Sequence, residues 1–321
     1  AMIVAAAALL LGRKQPTQCD QPSTQRQRFV QHPLVAWVLE NASVVGIATL
    51  SCTLIPAPRR GSFLTAFASI IVTSIFQVWS AMGLQSLLVG GVYKDIPFFT
   101  DRSTPPLMEY LKDCCRCNLP VDLFNSTMLG FNISALRRHQ FHHAWLERRV
   151  SPLAVLKKFL VLRICIDVGF WLGHRMLHHR KLYWIHKRHH EHKRPTLQTN
   201  FHFAPVDLWV EAAAPAVLGL MVLEALKWPL TRYELALLST YMLWHESGSH
   251  SGKPVPTVTY FPPLAPLYQL FLGPVDLHNV KHHDMHHQHL DGNYGITIWP
   301  DIVMGTRLRI PDDVQQLARK P

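Results

Sequence analysis

Histidine is the residue type in this sequence whose spacing implies chemistry. There are twenty histidines in 321 residues, and three ordered clusters stand out: His174-Arg-Met-Leu-His178, His186-Lys-Arg-His189-His190 and, far downstream, His283-Asp-Met-His286-His287. Side chains three or four residues apart lie on one face of a helix, so each cluster is expected to project two or three imidazoles to one side. Neutral imidazole suits iron, zinc and copper, and an array of eight or more exceeds what one ion holds, so two metals are implied. Surface histidines on a basic interfacial helix would explain a single H-x-x-H-H, but not three such clusters beside apolar segments. His139-Gln-Phe-His142-His143 has the same form. It follows Arg137-Arg138 and precedes Trp145-Leu-Glu-Arg-Arg149, and is read as a solvated or interfacial face.

Two redox metals held by imidazoles keep open positions and face no competing thiolate, which suits activation of dioxygen. A hydrolytic zinc pair is the competing chemistry, and such sites normally add carboxylates that bridge the metals and act as base. Asp284 and Glu191 are the only acids inside the clusters, so oxidation is preferred. A non-catalytic metal carrier would need ligands along a polar path through the bilayer, and no histidine occurs between Leu34 and Tyr93.

The elements that must position these histidines read as membrane helices. Gly61 to Tyr93 contains no Asp, Glu, Lys or Arg, and about 20 apolar residues suffice to cross a bilayer. A second span is expected from about Leu34 to Ile55, joined to the first by a hairpin connection over Pro56 to Gly61. Weaker candidates are Leu153 to Leu172, which carries Lys157, Lys158, Arg163 and Asp167, and Ala212 to Leu223, a run too short to span unaided. These are expected to form a second hairpin or to lie partly in the interface. Met2 to Leu11 is apolar but short and stays unassigned.

The net charge of +11 fits a membrane protein whose polar part faces anionic lipid. Nucleic acid is not an expected partner, because the basic residues interleave with histidines instead of forming an arm or module. Six scattered or crowded cysteines form no disulfide framework, which fits a reducing compartment. Cys114, Cys115 and Cys117 are expected in a solvated loop as free thiols. Asn125 and Asn132 match the glycosylation pattern and are expected to stay unmodified on a cytosolic segment.

The order H-x-x-x-H, H-x-x-H-H, a lone His250-Ser-Gly252 and a final H-x-x-H-H resembles the fatty acid hydroxylase superfamily, which includes methylsterol oxidases and sterol desaturases. The likeness runs from about Leu162 to Leu308 and takes in Asp167 seven residues before His174, Gly292-Asn-Tyr-Gly295, and Trp299 to Gly305-Thr306. Carried over by position, the resemblance makes His174, His178, His186, His189, His190, His250, His283, His286 and His287 the metal ligands, with His245, His202, His278 and His282 as secondary candidates. Some members carry a histidine where this chain has Ala204, before Pro205.

The resemblance implies two iron ions per chain, dioxygen as co-substrate, and hydroxylation or desaturation of a hydrophobic, sterol-like, terpenoid or other lipid substrate. It also implies a b-type cytochrome and its reductase as electron donors and a site in the endoplasmic reticulum membrane, with the histidines facing the cytosol. The expected fold is all-α: an integral membrane helical bundle with hairpins of spanning helices and a cytosolic histidine-rich helical cap holding a di-metal centre. The expected organisation is an N-terminal segment (1–33), a transmembrane hairpin (34–93), a connecting loop and basic interfacial helix (94–150), a histidine-box domain with a second membrane-embedded hairpin (151–310) and a tail (311–321). Aromatics such as Phe170, Trp171, Tyr183, Trp184, Phe201, Phe203, Trp209 and Trp244 are candidate substrate lining, and the proline-rich stretch Gly252 to Gly273 a candidate lid or a rigid surface connection.

Overall fold

The computed structural model describes residues 33–55, 63–94, 96, 98–99, 107–135, 151–253 and 275–309. The apolar stretch at Met2 to Leu11, the cluster at His139 to His143, nearly all of the proline-rich stretch and the C-terminal tail lie outside the described residues. Those residues form a helical bundle with no strand among them, as the sequence predicts.

The first two helices are α1 (Pro33–Leu54) and α2 (Phe63–Leu87), the latter continued by a wide π turn over Leu88–Val92. Both Trp37–Leu54 and Phe63–Val92 are long and apolar enough to cross a membrane. Polar side chains inside this apolar part tie the helices together. Gln77 of α2 donates to the Ala236 carbonyl at 2.8 Å, and Gln85 to the Trp244 carbonyl at 2.7 Å. Both acceptors belong to α9 (Arg232–Ser249), whose N-terminus is fixed by a reciprocal cap between Thr231 and Glu234. Such amide bonds hold helices together where no water competes. The last carbonyls of α1 and α2 need donors: Arg232 reaches Ile55 O at 2.7 Å, and the buried Lys253 reaches Tyr93 O at 3.2 Å and Val89 O at 3.3 Å. Lys253 stands three residues after His250, so the end of α2 anchors that histidine's turn.

Next come α3 (Leu107–Asp113), a π turn over Cys114–Asn118 and α4 (Leu119–Ala135). The cysteines are therefore not in a solvated loop. The helix runs through them, burying Cys114 and Cys117 and leaving Cys115 exposed.

The 26-residue α5 (Pro152–Leu177) turns Lys158, Arg163 and Asp167 inward and leaves Lys157 and Arg175 exposed. Lys158 pairs with Glu234 at 2.6 Å, and Arg163 pairs with Asp167 at 2.8 Å. Its outward residues Leu160, Ile164, Val168, Leu172 and Met176 repeat every four positions and are all exposed. The short helices α6 (Tyr183–His186) and α7 (Pro205–Leu208) follow, then a π turn over Trp209–Ala213 and α8 (Ala214–Ala225). The stretch Ala212 to Leu223, read as too short to span, is part of a continuous 21-residue helix from Pro205 to Ala225 that is long and apolar enough to cross. The buried Asp207 and Glu211 inside it do not interrupt the helix.

α5 packs closely on the α7–α8 helix. A Cβ on Gly173 would lie 3.0 Å from the Val210 carbonyl, so this glycine sets how near His174 comes to the π turn. The chain closes with α10 (Val275–His289) and α11 (Ile298–Met304). The main core gathers Phe159, Leu162, Ile166, Leu223, Leu238 and Trp244 beside Ile47 and Ala48 of α1. All the imidazoles described below lie at the α5 C-terminus, beyond this apolar body.

Candidate metal centre

Nine imidazoles converge in two adjoining groups. His174, His178, His186, His190 and His286 form one, and His189, His250, His283 and His287 the other, with the ligand atoms of each group within 4.8 Å of one another. All are buried except His178, which is partly open. The two groups share a wall, since the rings of His190 and His287 have centroids 4.8 Å apart.

Each group draws on several elements. His174 lies in the last turn of α5 and His178 is its C-cap, His186 ends α6, and His189 and His190 open a short 3-10 turn. His250 caps α9, and His283, His286 and His287 come from α10. Residues four apart meet in one group, as His174 with His178 and His283 with His287, whereas neighbours such as His189 and His190 separate. Each cluster thus puts two imidazoles into one group, as expected, while His189 and His286 turn to the other group. The chain leaves the α-helix after His186, and on α10 the 100° step from residue 286 to 287 aims the two rings at different groups.

The hydrogen bonds fix the tautomers. His174 Nδ1 donates to the Tyr294 carbonyl at 2.7 Å, His286 Nδ1 to the Gly292 carbonyl at 2.7 Å, and His250 Nδ1 to the Glu246 carbonyl at 3.0 Å. His186 Nδ1 faces both oxygens of Asp207, at 2.9 and 3.0 Å. With Nδ1 protonated, Nε2 carries a lone pair. The Nε2 atoms of His174 and His186 face each other 3.1 Å apart. Two nitrogens held about 2.1 Å from one ion lie roughly 3 Å apart, so this contact fits two ligands of one cation. His178 with His190 at 3.1 Å, His190 with His286 at 3.2 Å and His283 with His287 at 3.2 Å repeat the spacing. Burial, reinforced by the neighbouring rings, holds His186, His189, His190, His283 and His287 well below the ordinary imidazole range, and holds His250 and His286 down to about 4. At neutral pH these groups are neutral bases, the state a metal requires.

Of the secondary candidates, His202, His245 and His282 stand outside both groups. His202 bridges Asp113 at 2.8 Å and Glu191 at 3.1 Å. His282 faces Asp301 at 3.2 Å, and His245 lies 3.3 Å from Asn279 Nδ2. His278 falls on α10, among residues whose side chains are not described. The reading of the acids also needs correction. Asp284 turns to Lys281 at 3.1 Å, and the carboxylates beside the imidazoles are Asp207 and Glu211, the latter 3.2 Å from His186 Nδ1. They were missed because they lie in another segment. The available signal was two acids four residues apart in an otherwise uncharged run from 201 to 223.

The wall of the site is aromatic and loop-built. Phe203 stacks on His189 with ring centroids 3.9 Å apart, while Phe170 and Tyr183 meet His174 and His178. Tyr294 lies against His174, His178 and His286. Trp244 is in the core, and Trp184 is 73% exposed, so neither lines the centre. Asp301 holds the Tyr294–Gly295 turn by accepting from Tyr294 N at 2.9 Å and Gly295 N at 2.7 Å, and Asp167 holds Thr297 at 2.8 Å and Trp299 at 2.7 Å. These carboxylates fix the loop whose carbonyls orient His174 and His286.

Among the described residues, an all-helical bundle with three helices long and apolar enough to span a bilayer and a buried double histidine group defines a membrane protein with histidine clusters that could hold metal. Residues 159–306 match the fatty acid hydroxylase family, and this match together with the curated relatives supports the fatty acid hydroxylase superfamily. It is similar to fatty acid hydroxylase ahd1 of Mycosarcoma maydis, 27% identical over 48% of this chain and 39% of that protein. It is also similar to human fatty acid hydroxylase domain-containing protein 2, 27% identical over 57% of this chain and 49% of that one. Methylsterol monooxygenase 1 of Rattus norvegicus is 28% identical over 50% of each chain. The chain thus spans half or less of the length of these curated relatives. No solved structure matches.

Proposed function

We propose that the chain is a membrane-bound di-iron oxygenase that hydroxylates, or oxidises further, a C–H bond of a sterol-like, terpenoid or other lipid substrate. The observation that carries this reading is the convergence of nine imidazoles in two groups, above all the Nε2 atoms of His174 and His186 at 3.1 Å, a spacing that fits two ligands of one cation. The nine imidazoles of the two groups are the proposed ligands. Bound there, two iron ions would supply the activation of dioxygen and the removal of hydrogen from carbon.

The chain's own part is to orient and to exclude. Backbone carbonyls of Tyr294, Gly292 and Glu246 lock three rings with Nε2 inward. Burial of eight of the nine histidines keeps bulk water from the ligand atoms, and Phe170, Phe203 and Tyr294 present an apolar wall to a hydrophobic molecule. Asp207 and Glu211 approach His186 at its outward Nδ1. A hydrolytic pair would need a carboxylate between the metals, so the arrangement favours oxidation.

The substrate class draws on the superfamily and on the likeness to methylsterol monooxygenase 1. The inward Lys158, Arg163 and Asp167 and the outward apolar stripe of α5 support a second hairpin, formed by α5 with the α7–α8 helix, so that the histidines sit at one membrane face. We place that face on the cytosolic side of the endoplasmic reticulum membrane, where a b-type cytochrome and its reductase would supply two electrons for each dioxygen consumed. The test is reconstitution of the full chain with such a donor, 18O2 and a panel of sterols and lipids. One 18O atom in an alcohol product is expected. An 18O-free alkene would make the enzyme a desaturase, and oxygen taken from water would refute the oxygenase reading.

A further inference from the structure

The two metal positions differ in what stands behind their imidazoles. Behind the four-histidine group, His250 is backed by the neutral carbonyl of Glu246, and the Nδ1 atoms of His189 and His287 have no hydrogen-bond partner. Behind the five-histidine group, His174 and His286 likewise lean on backbone carbonyls, and His190 Nδ1, like those of His189 and His287, has no hydrogen-bond partner among the described residues. His186 alone among the nine meets carboxylates at Nδ1: both oxygens of Asp207 at 2.9 and 3.0 Å and Glu211 Oε1 at 3.2 Å, with His186 and Asp207 fully buried. The π turn over Trp209–Ala213 puts these two acids, four residues apart, on one ring. Wide turns of this kind are rare and recur at functional sites.

We propose that Asp207 is a positioning residue that makes the two metal positions unequal, holding His186 in its Nδ1–H form so that the five-imidazole position takes metal first and more tightly than the four-imidazole one. The physical reason is local. A carboxylate accepting Nδ1–H raises the basicity of the opposite nitrogen and fixes the ring's direction, and its negative charge offsets that of the incoming cation in a buried site. The other position has only neutral acceptors or unpartnered donors behind its rings. The inference rests on the two-metal reading given above.

The experiment is stepwise Co(II) titration of the detergent-solubilised full chain after chelator stripping, read by visible absorption and by mass-spectrometric stoichiometry. The wild type is expected to fill in two unequal steps. Asp207→Asn, which keeps the shape and removes the charge, should weaken the tighter step by roughly 10- to 100-fold and leave the weaker step in place. Asp207→Glu should retain the tighter step, which provides a folded comparison if the asparagine variant is unstable. Two equal steps in the wild type, or unchanged or equally weakened steps in Asp207→Asn, would overturn the inequality while the two-metal centre stands. Fewer than two ions per wild-type chain would overturn the two-metal reading and the inequality with it.

Discussion

His189 and His190 are adjacent in the chain and belong to different imidazole groups, as do His286 and His287, so the two groups are interleaved at the level of single residues. Removing one histidine from each should therefore disable both. His189→Ala combined with His286→Ala is expected to abolish turnover and lower metal content, each change alone costing most of the activity. His202→Ala should keep its metal, since His202 ties Asp113 to Glu191 and points at neither group. Metal analysis of the purified variants checks both outcomes. The histidine spacing made the nine residues legible because helices place residues four apart together. The division between two groups was not legible, because it depends on where the chain leaves the helix after His186. The carboxylates behind His186 were hidden for another reason: acids inside an apolar run read as interruptions of a helix until the fold shows the ring they face.

At the scale of elements, the short α11 and the loop before it do more than close the chain. Asp301 accepts from the backbone of Tyr294 and Gly295, from Trp171 and from Thr306, and faces His282. Burial pushes its carboxyl up, but donors from His282, Thr306 and Gly295 outweigh this and hold it below the usual 3.8. A carboxyl held low in the folded state stabilises that state above its unfolded value and loses the contribution as pH falls through the folded value. Asp301→Asn is thus expected to be less stable than the wild type at pH 5 to 7 by about 2 kcal/mol. The gap should narrow below about pH 4, as followed by thermal melting in detergent. A gap that stays constant with pH would assign the effect to shape alone. The sequence indicated this loop only through the Gly292 to Gly295 likeness. Several hydrogen bonds that make it a ligand-orienting loop join residues 120 or more positions apart, as His174 with Tyr294 and Asp167 with Thr297.

At the scale of the whole molecule, the apolar body and the histidine group are two ends of one bundle. The span of α2 could be read from uncharged length alone, and that of α1 from an apolar run broken only by Glu40. α5 could not, because Lys158, Arg163 and Asp167 count against it until their inward pairing is seen. If its outer stripe meets lipid, Ile164→Arg should impair membrane insertion by about 3 kcal/mol. Insertion assays on the full chain would show this, while an Ile164→Leu control should be neutral. The inward Arg163 beside it shows that sequence position along a helix says little until the facing side is known.

The central claim is that this bundle holds two irons between its imidazoles. The most direct measurement is the metal content of the detergent-purified chain by mass spectrometry, together with its iron Mössbauer spectrum. The account predicts about two irons per chain with the spectrum of a coupled pair. A chain that takes up no transition metal after iron-supplemented expression would contradict it and leave the nine converging imidazoles without a cation to explain them.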